Sequence, residues 1–165
     1  MLQLISDRIS ADIESPDVGL TWQEQIRQYA ENYRKALLSY RDAVQIFTDT
    51  MPFTFNRLRQ IEGVYRVFVN AGFSYEETTL IGTLFNNYVI GFVKEEVRFK
   101  NSTQGQETEE IIAGVRNTFK NLPATEFPTL IQLADYATVV DMDRQFDFGL
   151  DILIKGLNTI LDSHA

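Results

Sequence analysis

Residues 20–52 read LTWQEQIRQYAENYRKALLSYRDAVQIFTDTMP, and residues 72–96 read GFSYEETTLIGTLFNNYVIGFVKEE. Each opens on a capping box, Thr21 with Glu24 and Ser74 with Glu77. In such a box the hydroxyl and the carboxylate satisfy backbone amides that a first helical turn leaves without partners. In the first stretch Trp22, Ile26, Tyr29, Tyr33 and Leu37 recur at the helical period, so one apolar stripe runs to about Tyr40. Arg41 and Asp42 break the pattern, and Ala43 to about Thr50 predicts a short helix that stops before Pro52. The second stretch predicts a helix to about Phe99. It is apolar over most of its circumference, at Leu80, Ile81, Leu84, Phe85, Tyr88, Val89, Phe92 and Val93. Such a helix is buried on more than one side.

Outward from these two stretches the same period continues. Residues 1–13 predict a short amphipathic helix with Leu2, Ile5, Ile9 and Ile13 on one face, followed by a turn containing Ser15, Pro16, Asp17 and Gly19. Residues 55–71 predict a helix with Leu58, Ile61, Tyr65 and Phe68 as its stripe and Gly72 at its C-terminal cap. The polar segment 100–107, KNSTQGQE, reads as an exposed loop. A helix follows over residues 108–120, Pro123 and Pro128 bracket a break, and residues 129–138 predict a further short helix. Asp141 or Asp143 caps the last helix, which presents Phe146, Leu150, Leu153, Leu157 and either Ile160 or Leu161. No segment alternates with the period of a strand, no repeat is visible, and no composition shift marks a second domain. The expectation is an all-α, multi-helix bundle forming a single domain over residues 1–165.

Composition narrows the chemistry. The chain has 165 residues, 44% of them hydrophobic, enough for a sizeable core. There is no cysteine, which excludes a disulfide scaffold, a thiolate metal site and a cysteine nucleophile, and fits a cytoplasmic protein. The sole histidine is His164, one residue from the end, so no Ser-His-Asp triad and no Glu-x-x-His di-iron motif is available. Glu95-Glu96 and Glu109-Glu110 are adjacent pairs whose side chains diverge by about 100° on a helix, and they read as solvated faces. No phosphate-binding glycine loop is present. We therefore expect no enzyme, no catalytic residues, no metal and no cofactor. No apolar run approaches the ~20 residues of a membrane helix. With 23 acids against 15 bases, a net charge of −8 does not favour direct binding to nucleic acid.

Several short elements recur together in an order and spacing that carry more weight than any of them singly. They are Trp22 and Arg27, the ALLSYRD segment of residues 36–42, Thr50 with Pro52, the AGFS turn of residues 71–74, the stretch from Gly91 to Glu95, and FGLD at residues 148–151. Together they resemble the effector-binding and dimerisation domain of the tetracycline-repressor (TetR) family, over almost the whole chain from Leu2 to Leu161. Members of that family carry a helix-turn-helix DNA-binding head ahead of this domain. The expectation is a sensing half that meets DNA only through a head missing from this chain. The alternatives are a stand-alone helical dimer that acts as a ligand-binding or protein-interaction module without DNA binding, and a helical adaptor whose apolar faces bind a protein with no small molecule.

The resemblance implies a homodimer in which the long helix and the last helix form a four-helix bundle with their partners. The residues expected at that interface are Leu84, Tyr88, Gly91, Gly149, Leu153, Gly156, Leu157 and Ile160. The glycines have a reading of their own: a helical glycine costs ~1 kcal/mol against alanine. Gly82, Gly91, Gly149 and Gly156 therefore suggest close approach of a facing helix, from the partner or from the same chain.

The resemblance also implies a small-molecule site between the helices. In tetracycline repressors a histidine and a threonine three residues on serve the drug-bound magnesium, and a glutamate at the end of the long helix holds a metal-bound water. The matching positions here are Phe47, Thr50 and Glu95. An asparagine and an aromatic that meet the drug fall at Tyr29 and Tyr33, and a glutamine falls near Gly63 or Val64. Phenylalanine does not ligate magnesium, so a magnesium–tetracycline complex is not the expected ligand. The lining expected is Tyr29, Tyr33, Phe47, Met51 and Phe85, with Thr50, Asn86, Asn87 and Glu95 as polar points, suited to a flat or greasy molecule with few hydrogen-bonding groups. Read from the residues alone, Tyr29 and Tyr33 serve equally well as core, and Asn86 and Asn87 need a partner that a ligand, a second subunit or the backbone could supply.

Overall fold

The computed structural model describes residues 1–102 and 108–164, and these contain eight helices and no strand. The helices are α1 (Leu2–Ala11), α2 (Trp22–Ser39), α3 (Ala43–Asp49), α4 (Phe55–Ala71), α5 (Tyr75–Ser102), α6 (Thr108–Lys120), α7 (Pro128–Ala137) and α8 (Met142–Asp162). They gather into two compact units: Met1–Glu95 with Phe148–Ala165, and Glu96–Asp147. No helix among the described residues is long and apolar enough to cross a membrane.

The first unit is set by its helix ends. At α2, the Thr21 backbone N–H donates to Glu24 Oε2 at 2.9 Å, and Glu24 N–H donates to Thr21 Oγ1. At α5, the Ser74 N–H donates to Glu77 Oε2 at 2.8 Å and Glu77 N–H returns to Ser74 Oγ at 3.2 Å. Helix α4 stops at Gly72, whose φ of 108° is a left-handed conformation that favours glycine. Its N-terminus is held from another helix: Asp7 of α1 accepts the Asn56 backbone N–H at 2.9 Å and the Asn56 amide at 2.8 Å.

The stripe expected on α2 is the observed one: Ile26, Tyr29, Tyr33 and Leu37 are buried, while Trp22 packs edge-on against Phe73 at 5.6 Å. On α1 the buried face is Ser6, Ile9 and Ser10, continued by Ile13. Leu2 and Ile5, expected inward, are exposed. The two small serines sit where α1 meets α4: Ser10 Oγ donates to the Ser6 carbonyl at 2.8 Å, and Ser6 Oγ accepts from Arg57 of α4 at 3.2 Å. On α4 the buried residues are Val64, Val67 and Phe68, whereas Leu58 is exposed. Leu58 fails as a stripe residue because its neighbours Arg57 and Gln60 occupy the side turned to α1. Helix α5 buries Ile81, Phe85, Val89 and Val93 and leaves Leu80 and Leu84 exposed, so it is one-sided in the single chain.

Helix α5 continues through Lys100, Asn101 and Ser102, three residues beyond the expected end. The rest of the expected loop, residues 103–107, lies outside the described residues. In the second unit Glu96, read as solvated, is buried and pairs with Lys100 at 2.9 Å, one turn on. Helices α6 and α7 pack together, and exposed Asp135 of α7 bridges to α6, meeting Lys120 at 2.7 Å and Arg116 at 3.6 Å. Of the two cap candidates for α8, Asp141 serves, accepting the Arg144 N–H at 2.9 Å.

Candidate functional site

Within the first unit a cavity of about 270 Å³ opens between α1, α2, α4 and α5, with α3 at one end. Its aromatic wall comes from three helices in a chain of ring contacts. Tyr29 and Tyr33 of α2 lie 5.9 Å apart, Tyr29 meets Phe85 of α5 at 5.9 Å, and Tyr33 meets Phe47 of α3 at 5.9 Å. Val64 and Ile61 of α4 and Ile13 beyond α1 add aliphatic surface. Gly82 takes part because of Tyr65: a Cβ at Gly82 would stand 2.3 Å from that ring, so the glycine lets α5 seat against it.

Five of the nine residues expected to meet a ligand line this cavity: Tyr29, Tyr33, Phe47, Phe85 and Asn86. Thr50 stands behind the wall, where its hydroxyl donates to the Ile46 carbonyl at 2.6 Å and accepts from Arg57 at 2.9 Å. Met51, Asn87 and Glu95 do not line it. Met51 follows the end of α3 and is 60% exposed. Asn87 is one residue past Asn86 and so is turned about 100° from it, onto the exposed side of α5. Glu95 is exposed more than two turns further along α5. Asn86 finds its polar partner inside the chain, accepting the Tyr33 hydroxyl at 3.2 Å.

The polar groups that sequence reading missed come from α4. Arg57 lines the cavity with its guanidinium carbon 4.4 Å from the centroid of Phe47. Its Nη1 donates to Ser6 Oγ at 3.2 Å and to the Thr50 carbonyl at 3.1 Å, and its Nη2 to the Phe47 carbonyl at 3.3 Å. Gln60 donates to the Ser10 and Ile13 carbonyls at 3.2 and 2.8 Å. Arg57 thus ties α4 to α1 and α3, and Gln60 ties it to the end of α1. Both stand one turn apart on α4, on the same side as Val64, so their spacing alone gave no signal that they face a cavity.

Burial pushes the Tyr29 hydroxyl far above its ordinary pKa, with the neighbouring Tyr33 adding to the rise. Burial does the same at Tyr33, opposed by the charge of Arg57. Both are neutral phenols at any physiological pH. Burial draws the Arg57 pKa below its usual value. The residues do not fit a magnesium site. The position of the metal-binding histidine is a phenyl ring with a guanidinium on its face, and no cluster of three potential ligands exists among the described residues.

The residues expected at a dimer interface divide into two groups. Leu84, Gly91, Gly156 and Ile160 are exposed, with nothing near a Cβ at either glycine. Phe148 and Ile152 of α8 are also exposed, at 68% and 55%. Tyr88, Gly149 and Leu153 are half-buried and Leu157 is buried within the chain. The close approach at Gly149 is intramolecular: a Cβ there would stand 2.6 Å from the Tyr88 hydroxyl.

The protein-family model described as the tetracyclin-repressor-like C-terminal domain matches residues 15–161. Over 98% of its length the chain is 28% identical to the class E tetracycline repressor protein of Escherichia coli, covering 71% of that protein. It is 26% identical to the class G repressor of Vibrio anguillarum over 88% of the chain, which spans 64% of that relative. Among solved structures it is similar to the Streptomyces coelicolor TetR family protein ActR in complex with actinorhodin, at a TM-score of 0.84 and 29% identity, over 96% of this chain and 74% of that one. ActR has also been solved in complex with (S)-DNPA, with a TM-score of 0.80 to this chain.

Proposed function

The chain belongs to the family of tetracyclin-repressor-like C-terminal domains, and we propose that it is the sensing domain of a transcriptional repressor whose effector occupies the cavity between α1, α2, α4 and α5. The observation that carries this reading is the cavity itself, walled by Tyr29, Tyr33, Phe47 and Phe85. Aromatic walls around few polar points suit a small, largely apolar organic molecule. The volume of about 270 Å³ is at the small end of ligand sites. The protein it resembles, ActR, binds actinorhodin and (S)-DNPA, which makes both natural probes.

The domain acts as a cytoplasmic homodimer and catalyses no reaction. The exposed apolar residues Leu80 and Leu84 of α5 and Phe148 and Ile152 of α8 support pairing through those two helices. Contact with DNA is made by a head domain of the full regulator. Effector binding shifts the preference between two orientations of the heads. Helices α1 and α3 are suited to carry that shift, because Arg57 on the cavity wall bonds to both.

Thermal unfolding with added actinorhodin or (S)-DNPA tests the reading. The midpoint should rise with ligand concentration in the wild type and stay fixed in Val64→Trp, whose side chain fills the cavity. An equal rise in both proteins, or no rise with either compound, counts against the cavity as effector site.

A further inference from the structure

Arg57 is a half-buried cation without a counter-charge. Every acceptor it meets is neutral: Ser6 Oγ, Thr50 Oγ1, and the carbonyls of Thr50 and Phe47. No carboxylate pairs with it among the described residues. All four acceptors are taken by Nη1 and Nη2, and Nε has none among those residues. The Phe47 ring on one face and the ties to α1 and α3 hold the guanidinium plane in place. A partly desolvated, fixed guanidinium with a donor to spare is a receptor for an anion.

The rest of the wall points the same way. Tyr29 is 6% exposed, yet its hydroxyl has no hydrogen-bond partner among the described residues. It stays a neutral donor because burial raises its pKa. Asn86 uses its carbonyl oxygen for Tyr33, which leaves its amide hydrogens available. Donors therefore dominate the unused polar groups, and the surfaces between them are aromatic.

We propose that Arg57 is the anion anchor of this cavity, and that the effector is a planar aromatic molecule carrying one carboxylate, sulfonate or ionised phenol, seated on Arg57 with the Tyr29 hydroxyl as a second donor. This rests on the cavity being the effector site. It goes beyond that reading by fixing the charge and shape of the ligand. Neutral aromatics fill the same space without pairing Arg57 and bind more weakly.

The test uses two fluorescent probes with one frame, anilinonaphthalene sulfonate and its uncharged parent phenylnaphthylamine, titrated against the whole chain. The wild type should bind the sulfonate more tightly by roughly tenfold or more, the contribution of a charge-assisted bond. Arg57→Gln should abolish that preference while the neutral probe binds as before. Tyr29→Phe removes a hydroxyl with no protein partner, so it should fold normally and weaken the sulfonate alone by a few-fold. It carries the test if Arg57→Gln does not fold. Equal affinities in the wild type, or an undiminished preference in Tyr29→Phe and Arg57→Gln, would overturn the anion anchor and leave the cavity reading standing. Unchanged binding of both probes to Val64→Trp would place them outside the cavity and remove both readings together.

Discussion

The guanidinium carbon of Arg57 stands 4.4 Å from the centre of the Phe47 ring, at the position where the resemblance to tetracycline repressors places a metal-binding histidine. A cation on that face repels a divalent ion, so restoring the histidine is not enough to restore a metal site. We expect Phe47→His to show no magnesium-dependent binding of tetracycline by calorimetry. Magnesium-dependent uptake by that variant would contradict the placement of Arg57.

The Tyr33 hydroxyl and Asn86 form a side-chain bridge between α2 and α5 on the cavity wall, at 3.2 Å. Tyr33→Phe removes it and should lower stability by about 1 kcal/mol in urea unfolding. Asn87, on the exposed side of α5, should behave differently. Asn87→Leu is expected to leave ligand binding by calorimetry unchanged, and weakened binding would place Asn87 at the site.

The glycines separate packing within the chain from packing between chains. At Gly82 a Cβ meets the Tyr65 ring at 2.3 Å, so Gly82→Ala should displace that ring into the cavity and weaken ligand binding. At Gly156 nothing lies within 4 Å of an added Cβ. A lone chain would therefore gain up to ~1 kcal/mol from Gly156→Ala. Gly156→Phe and Ile152→Asp should both yield monomers or aggregate by light scattering, and an unchanged dimer in both would sink the α5–α8 interface.

Asp7 caps α4 from α1, and its acceptor bond from the Asn56 backbone, with further help from the Asn56 side chain, holds its pKa below the ordinary 3.8. The folded value lies below the unfolded one, so its contribution is complete above the ordinary value and is lost as pH falls through the folded value. Urea unfolding of Asp7→Asn between about pH 5 and pH 2 should show a shallower acid decline than the wild type. Parallel curves would remove Asp7 from the acid-sensitive set.

What was legible in the chain was local. Both capping boxes, the Gly72 stop and the aromatic stripe of α2 depend on neighbours within one helical turn, and they stand where the periodicity placed them. The buried face of α1 was misread because its small serines, not Leu2 and Ile5, meet α4, and serines carry no hydrophobic signal. Arg57 was invisible for a related reason. The periodicity of α4 assigns it no role, and only the arrival of α3 sets Phe47 beneath it and the Thr50 oxygens in front of it. Tyr29, Tyr33, Phe47 and Phe85, named through the resemblance, line the cavity, while Met51 and Asn87 do not, because one residue of helical rotation or a helix end decides which side they face.

The most direct measurement is a crystal structure of the chain grown with a bound aromatic ligand such as (S)-DNPA. Ligand density between Tyr29, Phe47, Val64 and Phe85 is the predicted result. Density confined to the exposed surfaces of α5 and α8, with the cavity lined by the same side chains and holding only water, would contradict it.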